Sequence, residues 1–284
     1  MRLWTFVYCF MALFAPLSNI AQAQIGDVEH GKYLVTIGIC ESCHTARGSK
    51  GEAIKELRLA GGRQSGGLNT PNLTPDLETG LGSWSVADIV TAFRSGHRPD
   101  HTIIRPPMGV FFYSGFSDYD AFSIAVYLKS LAPVRNKVER TPVKAPLPVW
   151  PEITSVPEPD RADRIALGHY LTQTVSHCFQ CHSPKGQNGL PDLTRAGLGG
   201  NTYQAPGGGS VVSANLTPGN PDGIVGWTDE QVKKAITQGV RPDQSKMVNV
   251  MDFDLYDQMK PDDLSALVAF LRTLKPLKAD ESAK

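Results

Sequence analysis

Beyond its first two dozen residues the chain lacks what several common designs require. Cysteine is scarce: there are five in 284 residues, and Cys9 lies in the apolar N-terminal stretch, which leaves four. No surplus thiol remains for structural disulfides. An excess of one charge is absent too. The 28 basic residues balance the 28 acidic ones, and without Arg2 the remainder carries a formal −1, so nothing suggests a nucleic-acid partner. No second long hydrophobic run occurs. The most apolar late segment, Leu264 to Leu274, is short and interrupted by Ser265, Arg272 and Thr273, too little to span a bilayer. Strand-like alternation is scarce as well, which turns the expectation toward helices.

The N-terminus itself reads as a secretory signal. Arg2 supplies a minimal positive region, Leu3 to Leu17 is largely apolar, and Ala21-Gln22-Ala23 offers a small-residue cleavage site before Gln24. An uncleaved anchor is the weaker reading, because Tyr8, Cys9 and Pro16 interrupt a run that falls short of the roughly 18 to 20 residues of a spanning helix. Residues 1–23 are therefore expected to be a cleaved signal peptide, and the chain to be exported. The rest is long enough for two domains of small size.

The four remaining cysteines form two copies of one motif, Cys40-Glu41-Ser42-Cys43-His44 and Cys178-Phe179-Gln180-Cys181-His182. C-x-x-C-H is the attachment sequence of c-type haem. Its two thiols form thioethers with the porphyrin vinyl groups, and the adjacent histidine is thereby placed under the iron as proximal ligand. The spacing thus predicts two covalently bound haem c groups, held by Cys40, Cys43, Cys178 and Cys181, with His44 and His182 on the irons. A zinc site, a disulfide pair or a thioredoxin-like dithiol leaves both histidines unexplained, and zinc ribbons set their pairs about 15 to 20 residues apart. Export agrees with haem attachment, which takes place on the far side of the bacterial inner membrane or in an equivalent compartment.

An internal repeat organises the remainder. Asn72-Leu73-Thr74-Pro75 recurs as Asn215-Leu216-Thr217-Pro218, a shift of 143 positions that holds without a gap for some sixty residues. In that register Trp84 meets Trp227, Arg98-Pro99-Asp100 meets Arg241-Pro242-Asp243, and Tyr113 meets Tyr256. The haem motifs differ by 138, which puts five extra residues into a Gly-rich loop of the second repeat. Pro133, Pro142, Pro146, Pro148, Pro151, Pro157 and Pro159 interrupt any helix between the repeats. That stretch is either a stiff free linker or a strap packed on both repeats through Val143, Leu147, Val149 and Trp150. Short apolar segments from Gly31 and Gly168 are expected to present the cysteines at a helix C-terminal end. Ser85 and Thr228 are expected to be N-caps, and Pro261 to open a helix with one apolar face.

The repeat also selects the second iron ligands. Met108 follows Pro106-Pro107, which stiffen a loop that could aim its sulfur at the haem, and the shift makes Met251 its counterpart. Met247 and Met259 have no methionine equivalents. Among the histidines, His97 and His101 face Val240 and Gln244 in the other repeat, and His177 abuts Cys178, a poor position from which to reach the opposite haem face. His/Met ligation at both irons leaves no open site for a substrate, which favours electron transfer over catalysis. No catalytic residue is assigned.

On these residues the chain resembles the dihaem class I cytochrome c proteins, especially the cytochrome subunits that accept electrons from periplasmic alcohol, aldehyde, sugar and related dehydrogenases. The marks in the first repeat are Cys40-x-x-Cys43-His44, Gly61-Gly62-Arg63, Pro71 to Asp76, Gly80 to Ser85 and Pro106-Pro107-Met108. In the second they are Cys178-x-x-Cys181-His182, Ala214 to Pro218, Gly226-Trp227-Thr228 and Met251. The resemblance implies an all-α fold of two tandem class I cytochrome c domains, 24–137 and 159–276, joined by a Pro-rich connector at 138–158 and followed by a polar tail at 277–284. It implies that the Asn-Leu-Thr-Pro and Gly-x-Trp segments line the haem crevices. Its expected function is a periplasmic carrier between a dehydrogenase and a downstream cytochrome or oxidase, reaching the membrane only through a partner. A dihaem peroxidase is the alternative, and a sulfur-compound enzyme ranks last because no cysteine is spare. Two departures stand out: relatives serving membrane-bound dehydrogenases often carry three haem domains and an anchor, and Met251 lacks the proline that usually adjoins the ligand.

Overall fold

The structure, a computed structural model, describes residues 26–142, 148–205, 208–219 and 223–278. The expected signal segment with Cys9, the connector residues 143–147 and the tail residues 279–284 lie outside them.

Asp27 starts the first helix, α1 (Val28–Ile37), by accepting the His30 amide at 2.6 Å. Such a cap satisfies a donor that the helix leaves orphaned and contributes about 1 kcal/mol. Gly38 ends α1, and Ile39 turns the chain at φ 49°, so Cys40 opens a separate short helix, α2 (Cys40–His44). The cysteines therefore do not sit at the C-terminal end of the preceding helix. One left-handed residue breaks that helix and re-aims the chain before the motif.

An antiparallel hairpin follows, β1 (Gln64–Ser65) with β2 (Leu68–Asn69), then α3 (Val86–Ser95), α4 (Val110–Tyr113) and α5 (Asp118–Ser130). The second half repeats the order: α6 (Arg164–Tyr170), running on as one π turn over Leu171–Val175, then α7 (Phe179–His182), the hairpin β3 (Thr202–Gln204) with β4 (Ser210–Val212), α8 (Asp229–Gln238), α9 (Phe253–Tyr256) and α10 (Pro261–Thr273). The chain is mostly helical rather than purely so. Gly66 and Gly67, both at positive φ, supply the two-residue turn that the first hairpin needs.

Helix α1 packs on α5, and α6 packs on α10. Both contacts are backbone-close. A Cβ on Gly31 would lie 1.9 Å from the Ser123 carbonyl oxygen, and one on Gly168 would lie 2.0 Å from that of Ala266, so glycine alone permits either crossing. Ser85 and Thr228 cap α3 and α8 in reciprocal boxes with Asp88 and Gln231. Leu34, Ile37 and Leu128 of the first half and Leu171, Leu267 and Leu271 of the second belong to one continuous core. Residues 148–158 lie as an ordered strap on the first half: Trp150 Nε1 donates to the Ile104 carbonyl at 2.7 Å, and the Asp118 amide donates to that of Val156 at 2.9 Å.

Candidate haem crevices

The two motif histidines are held alike. His44 Nδ1 lies 2.9 Å from the Pro71 carbonyl oxygen, and His182 Nδ1 lies 2.8 Å from that of Ala214. A carbonyl accepts only from an N–H, so Nδ1 carries the proton and Nε2 keeps its lone pair for a metal. Burial holds both imidazoles below their usual pKa, against the opposing pull of those carbonyls. Each ring is thus neutral, as an iron ligand must be. Burial likewise pushes the Cys40 and Cys178 thiols up to about 12. All four motif cysteines are free thiols, available for thioether formation.

The Asn-Leu-Thr-Pro segments supply the framework behind these rings. Asn72 Oδ1 accepts from the Thr74 amide and hydroxyl at 2.9 and 2.8 Å, while Asn72 Nδ2 donates to the Val134 carbonyl at 2.8 Å. Asn215 Oδ1 accepts from the Thr217 amide and hydroxyl, both at 2.7 Å, and Asn215 Nδ2 donates to Leu277 at 3.0 Å. Each clamp ties the loop bearing the histidine's carbonyl partner to the chain leaving the last helix of its half. The resemblance implies that these segments line the crevices; their hydrogen bonds make them fasteners as well.

Beside the first motif lies a cavity of about 820 Å³, within the roughly 300–1,000 Å³ of cofactor pockets. Cys40, Cys43, His44 and Met108 all line it, with Leu81, Trp84 and Phe93 among its apolar walls. Arg98, Arg105 and Arg140 line it too, and Arg105 Nε is buried without a hydrogen-bond partner. Thiols, a lone imidazole nitrogen, a thioether, apolar walls and a guanidinium with an unpartnered Nε fit a haem, an apolar disc bearing two carboxylates.

The structure thus brings the predicted residues of the first site around one cavity. In the second half Cys178, Cys181 and His182 share one motif, and Met251 is half-buried against the core. Its carbonyl accepts the Phe253 amide at 3.0 Å, as that of Met108 accepts the Val110 amide at 2.9 Å, so the two methionines occupy the same turn. Met247 bonds the Gly239 carbonyl as Ile104 bonds Gly96, and Met259 is buried in the core. Two of the histidines set aside as iron ligands stand at the first cavity. His101 lines the first cavity. His177 lines it as well, although it immediately precedes the second motif, with its ring centroid 5.5 Å from that of Tyr113. Gln180, inside the second motif, donates to the Pro107 carbonyl at 3.0 Å, beside Met108. No local signal marks these cross-contacts, since they join residues more than sixty positions apart.

The family described as Cytochrome c matches residues 165–275. A protein named diheme cytochrome c-type from Cereibacter sphaeroides is 28% identical over 263 residues, covering 87% of this chain and 86% of that one. The cytochrome c subunit of gluconate 2-dehydrogenase from Pantoea cypripedii is 27% identical over 92% of this chain and 62% of its own length. The cytochrome c subunit of the quinone-type alcohol dehydrogenase from Gluconobacter oxydans is 27% identical over 93% and 59%. The chain therefore spans about three-fifths of these dehydrogenase subunits. Among the described residues no helix is long and apolar enough to cross a membrane. Residues 165–275 thus match a cytochrome c domain, and the chain along most of its length is similar to a dihaem cytochrome c and to cytochrome c subunits of dehydrogenases.

Proposed function

We propose that this chain is an exported dihaem electron carrier that takes electrons from a partner dehydrogenase and passes them to a downstream cytochrome or oxidase of the respiratory chain. It would consist of two cytochrome c domains, 24–137 and 159–276, joined by the connector at 138–158. The observation that carries the reading is the duplicated histidine, with Nδ1 committed to a carbonyl and Nε2 free in both motifs. Bound haem supplies the one-electron redox chemistry; the chain supplies attachment, ligands and environment. Cys40 and Cys43 would fix the first haem, His44 and Met108 would hold its iron, and Arg98, Arg105 and Arg140 would partner its carboxylates. Cys178, Cys181, His182 and Met251 would serve the second. Two methionine-capped irons leave no vacant position for a substrate, which supports a carrier over an enzyme. Dehydrogenase cytochrome subunits among the relatives support the partner class, and the signal-like N-terminus supports the periplasm.

The test is the mass and spectrum of the exported holoprotein. Two haems per chain, both low-spin, are expected, with Met108→Ala and Met251→Ala each turning one haem high-spin and Met247→Ala neither. One haem per chain, or a high-spin iron in the unaltered protein that reacts with peroxide, would overturn the reading.

A further inference from the structure

The halves meet across an interface whose contacts are reciprocal. Tyr33 donates to Asp263 Oδ2 at 2.5 Å and accepts the Lys260 amide at 3.1 Å. Tyr170 donates to Asp120 Oδ2 at 2.6 Å and accepts the Ser117 amide at 3.2 Å. Asp263 and Lys260 are the 143-shifted counterparts of Asp120 and Ser117. Each half thus inserts the tyrosine of the helix ahead of its motif into the other half's last helix start. Ser176 Oγ also donates to the Ile37 carbonyl at 3.1 Å, which seats the second motif against the first half just before its first cysteine.

That seating carries one side chain of the second motif to the methionine turn of the first half. Gln180 stands between Cys178 and Cys181, and its backbone is fixed within its own half: its amide donates to the His177 carbonyl at 2.8 Å, and its carbonyl accepts Lys185 Nζ at 2.9 Å. Its side chain crosses the interface. Gln180 Nε2 donates to the Pro107 carbonyl at 3.0 Å, and a Cβ on Gly109 would lie 3.4 Å from Gln180 Oε1. The side-chain amide therefore lies against the residues on both sides of Met108, and Gln180 lines the same cavity as Met108. The turn's own bonds are few: the Met108 amide donates to the Arg105 carbonyl at 3.1 Å, and the Met108 carbonyl accepts the Val110 amide at 2.9 Å. Gln180 adds an anchor from outside the turn. The equivalent position of the first motif, 138 residues earlier, is Ser42. Its carbonyl makes the matching bond, to Arg47 at 3.2 Å, but its short hydroxyl meets Arg63 of its own half at 3.3 Å. The reach from motif to methionine turn thus runs from the second half to the first.

From this placement we infer that Gln180 is a positioning residue for Met108: a side chain of the second motif holds the turn that presents the sulfur ligand to the first iron. The inference rests on the reading above that Met108 ligates the first haem. For Met108 to leave the iron its turn must swing away, which breaks the Gln180 bond as well. Removing the donor therefore favours the open turn by the worth of one hydrogen bond, about fivefold in population.

The experiment titrates the oxidised holoprotein with imidazole, a small ligand that displaces a methionine sulfur from haem iron, and reads the loss of methionine–iron absorption, with haems per chain counted by mass. Met108→Ala and Met251→Ala assign that absorption to the first and second haem. Gln180→Leu should let imidazole replace Met108 at a concentration about fivefold lower, with two haems attached and the titration of the second haem unmoved. Gln180→Glu keeps the shape and, when ionised, has no donor; it should behave as Gln180→Leu does, so the test stands if one of the two variants fails to mature. Gln180→Lys, which keeps an N–H donor at similar reach, should hold Met108 nearly as the unaltered protein does. Tyr170→Phe loosens the interface elsewhere and should leave the Met108 titration where it was. An unmoved titration in Gln180→Leu and Gln180→Glu would show that the turn holds itself, an equal shift in Tyr170→Phe would show that docking in general holds it, and either result would overturn the inference. A first haem that stays low-spin in Met108→Ala would instead remove the ligand reading, and the inference with it.

Discussion

Lys129 and Arg272 stand at equivalent places in the last helix of each half, and both reach back to carbonyls of the segment that ends in Trp84 or Trp227. Lys129 Nζ bonds Gly82 and Trp84 at 2.8 and 2.9 Å, and Arg272 bonds Ile224 and Trp227 at 3.2 and 2.5 Å. The same 143-residue correspondence runs through the asparagine clamps, the histidine carbonyls and the helix caps. What surrounds these bonds differs. His44 is 5% exposed, whereas His182 is half-buried and Cys181 is exposed. The position of Arg105 is occupied in the second half by Val248, an exposed aliphatic. The two halves have kept a hydrogen-bond skeleton and diverged in solvent access and charge, the two quantities through which a protein tunes a redox centre.

The skeleton can be broken in either half, and the largest effect is expected at the asparagines. Asn72→Ala strands the buried Thr74 amide and takes one of its two donors from the Val134 carbonyl, and should cost about 3 kcal/mol. Asn215→Ala removes the matching bonds from a half that is more open around its motif, where water can replace part of them, and should cost about 2 kcal/mol. Denaturant midpoints followed separately at each haem would read the difference; equal losses would mean that exposure does not distinguish the halves.

The tyrosine clamps sharpen the comparison next. Asp120 is fully buried and is shared by Tyr170, His30 at 2.6 Å and Arg161 at 2.9 Å, whereas Asp263 is only half-buried. Tyr170→Phe should therefore cost about 2 kcal/mol and Tyr33→Phe about 1 kcal/mol. Thermal unfolding of the two variants orders them; a larger loss in Tyr33→Phe would reverse the assignment of the stronger clamp. Smaller still are the helix caps, where no asymmetry is expected: Ser85→Ala and Thr228→Ala should each cost about 1 kcal/mol, because both boxes are complete and exposed.

Residues whose partners lie within a few positions were legible in the sequence. Ser85, Thr228 and Pro261 marked helix starts by local chemistry, and the 143-residue register placed Met251 in the turn of Met108. Gly66-Gly67, at the turn between β1 and β2, is a hairpin signal of the same local kind. The left-handed turn at Ile39 had no such signal, since a β-branched residue disfavours that conformation, and at His177 the residue type is only mildly permissive of it. Tyr33 and Tyr170 were visible as aligned residues, but the partner of Tyr33 lies 230 positions away and no local pattern reaches so far. His177 is the instructive case. Sequence adjacency to Cys178 made it look useless for the second crevice, and the fold gives it to the first.

The smallest difference concerns acid. Asp100 and Asp243 are counterparts in the Arg-Pro-Asp turns; Asp100 accepts from the Thr102 hydroxyl, and Asp243 accepts from the Ser245 amide at 2.9 Å. The Thr102 hydroxyl, 2.6 Å away, and Arg140, 2.7 Å away, outweigh partial burial and hold Asp100 down at about 2. Asp243 is lowered as well, first by the Ser245 hydroxyl and then by the Ser245 amide, with Arg241 acting only at a distance. A carboxylate whose folded pKa lies below its unfolded value of about 3.9 stabilises the fold above that pH, and loses the contribution as pH falls through the folded value. For Asp100 the window runs from about pH 4 down to about 2. Its side chain is 48% exposed, so solvent screening keeps the effect modest. Asp100→Asn should lower the denaturant midpoint of the first half at neutral pH, and the gap to the unaltered protein should close as pH approaches 2. Asp243→Asn should shift the second half in the same direction by less, because among the described residues no ion pair like that of Asp100 with Arg140 holds Asp243. A gap that persisted unchanged at pH 2 would mean that Asp100 acts through the geometry of its turn and not through its charge.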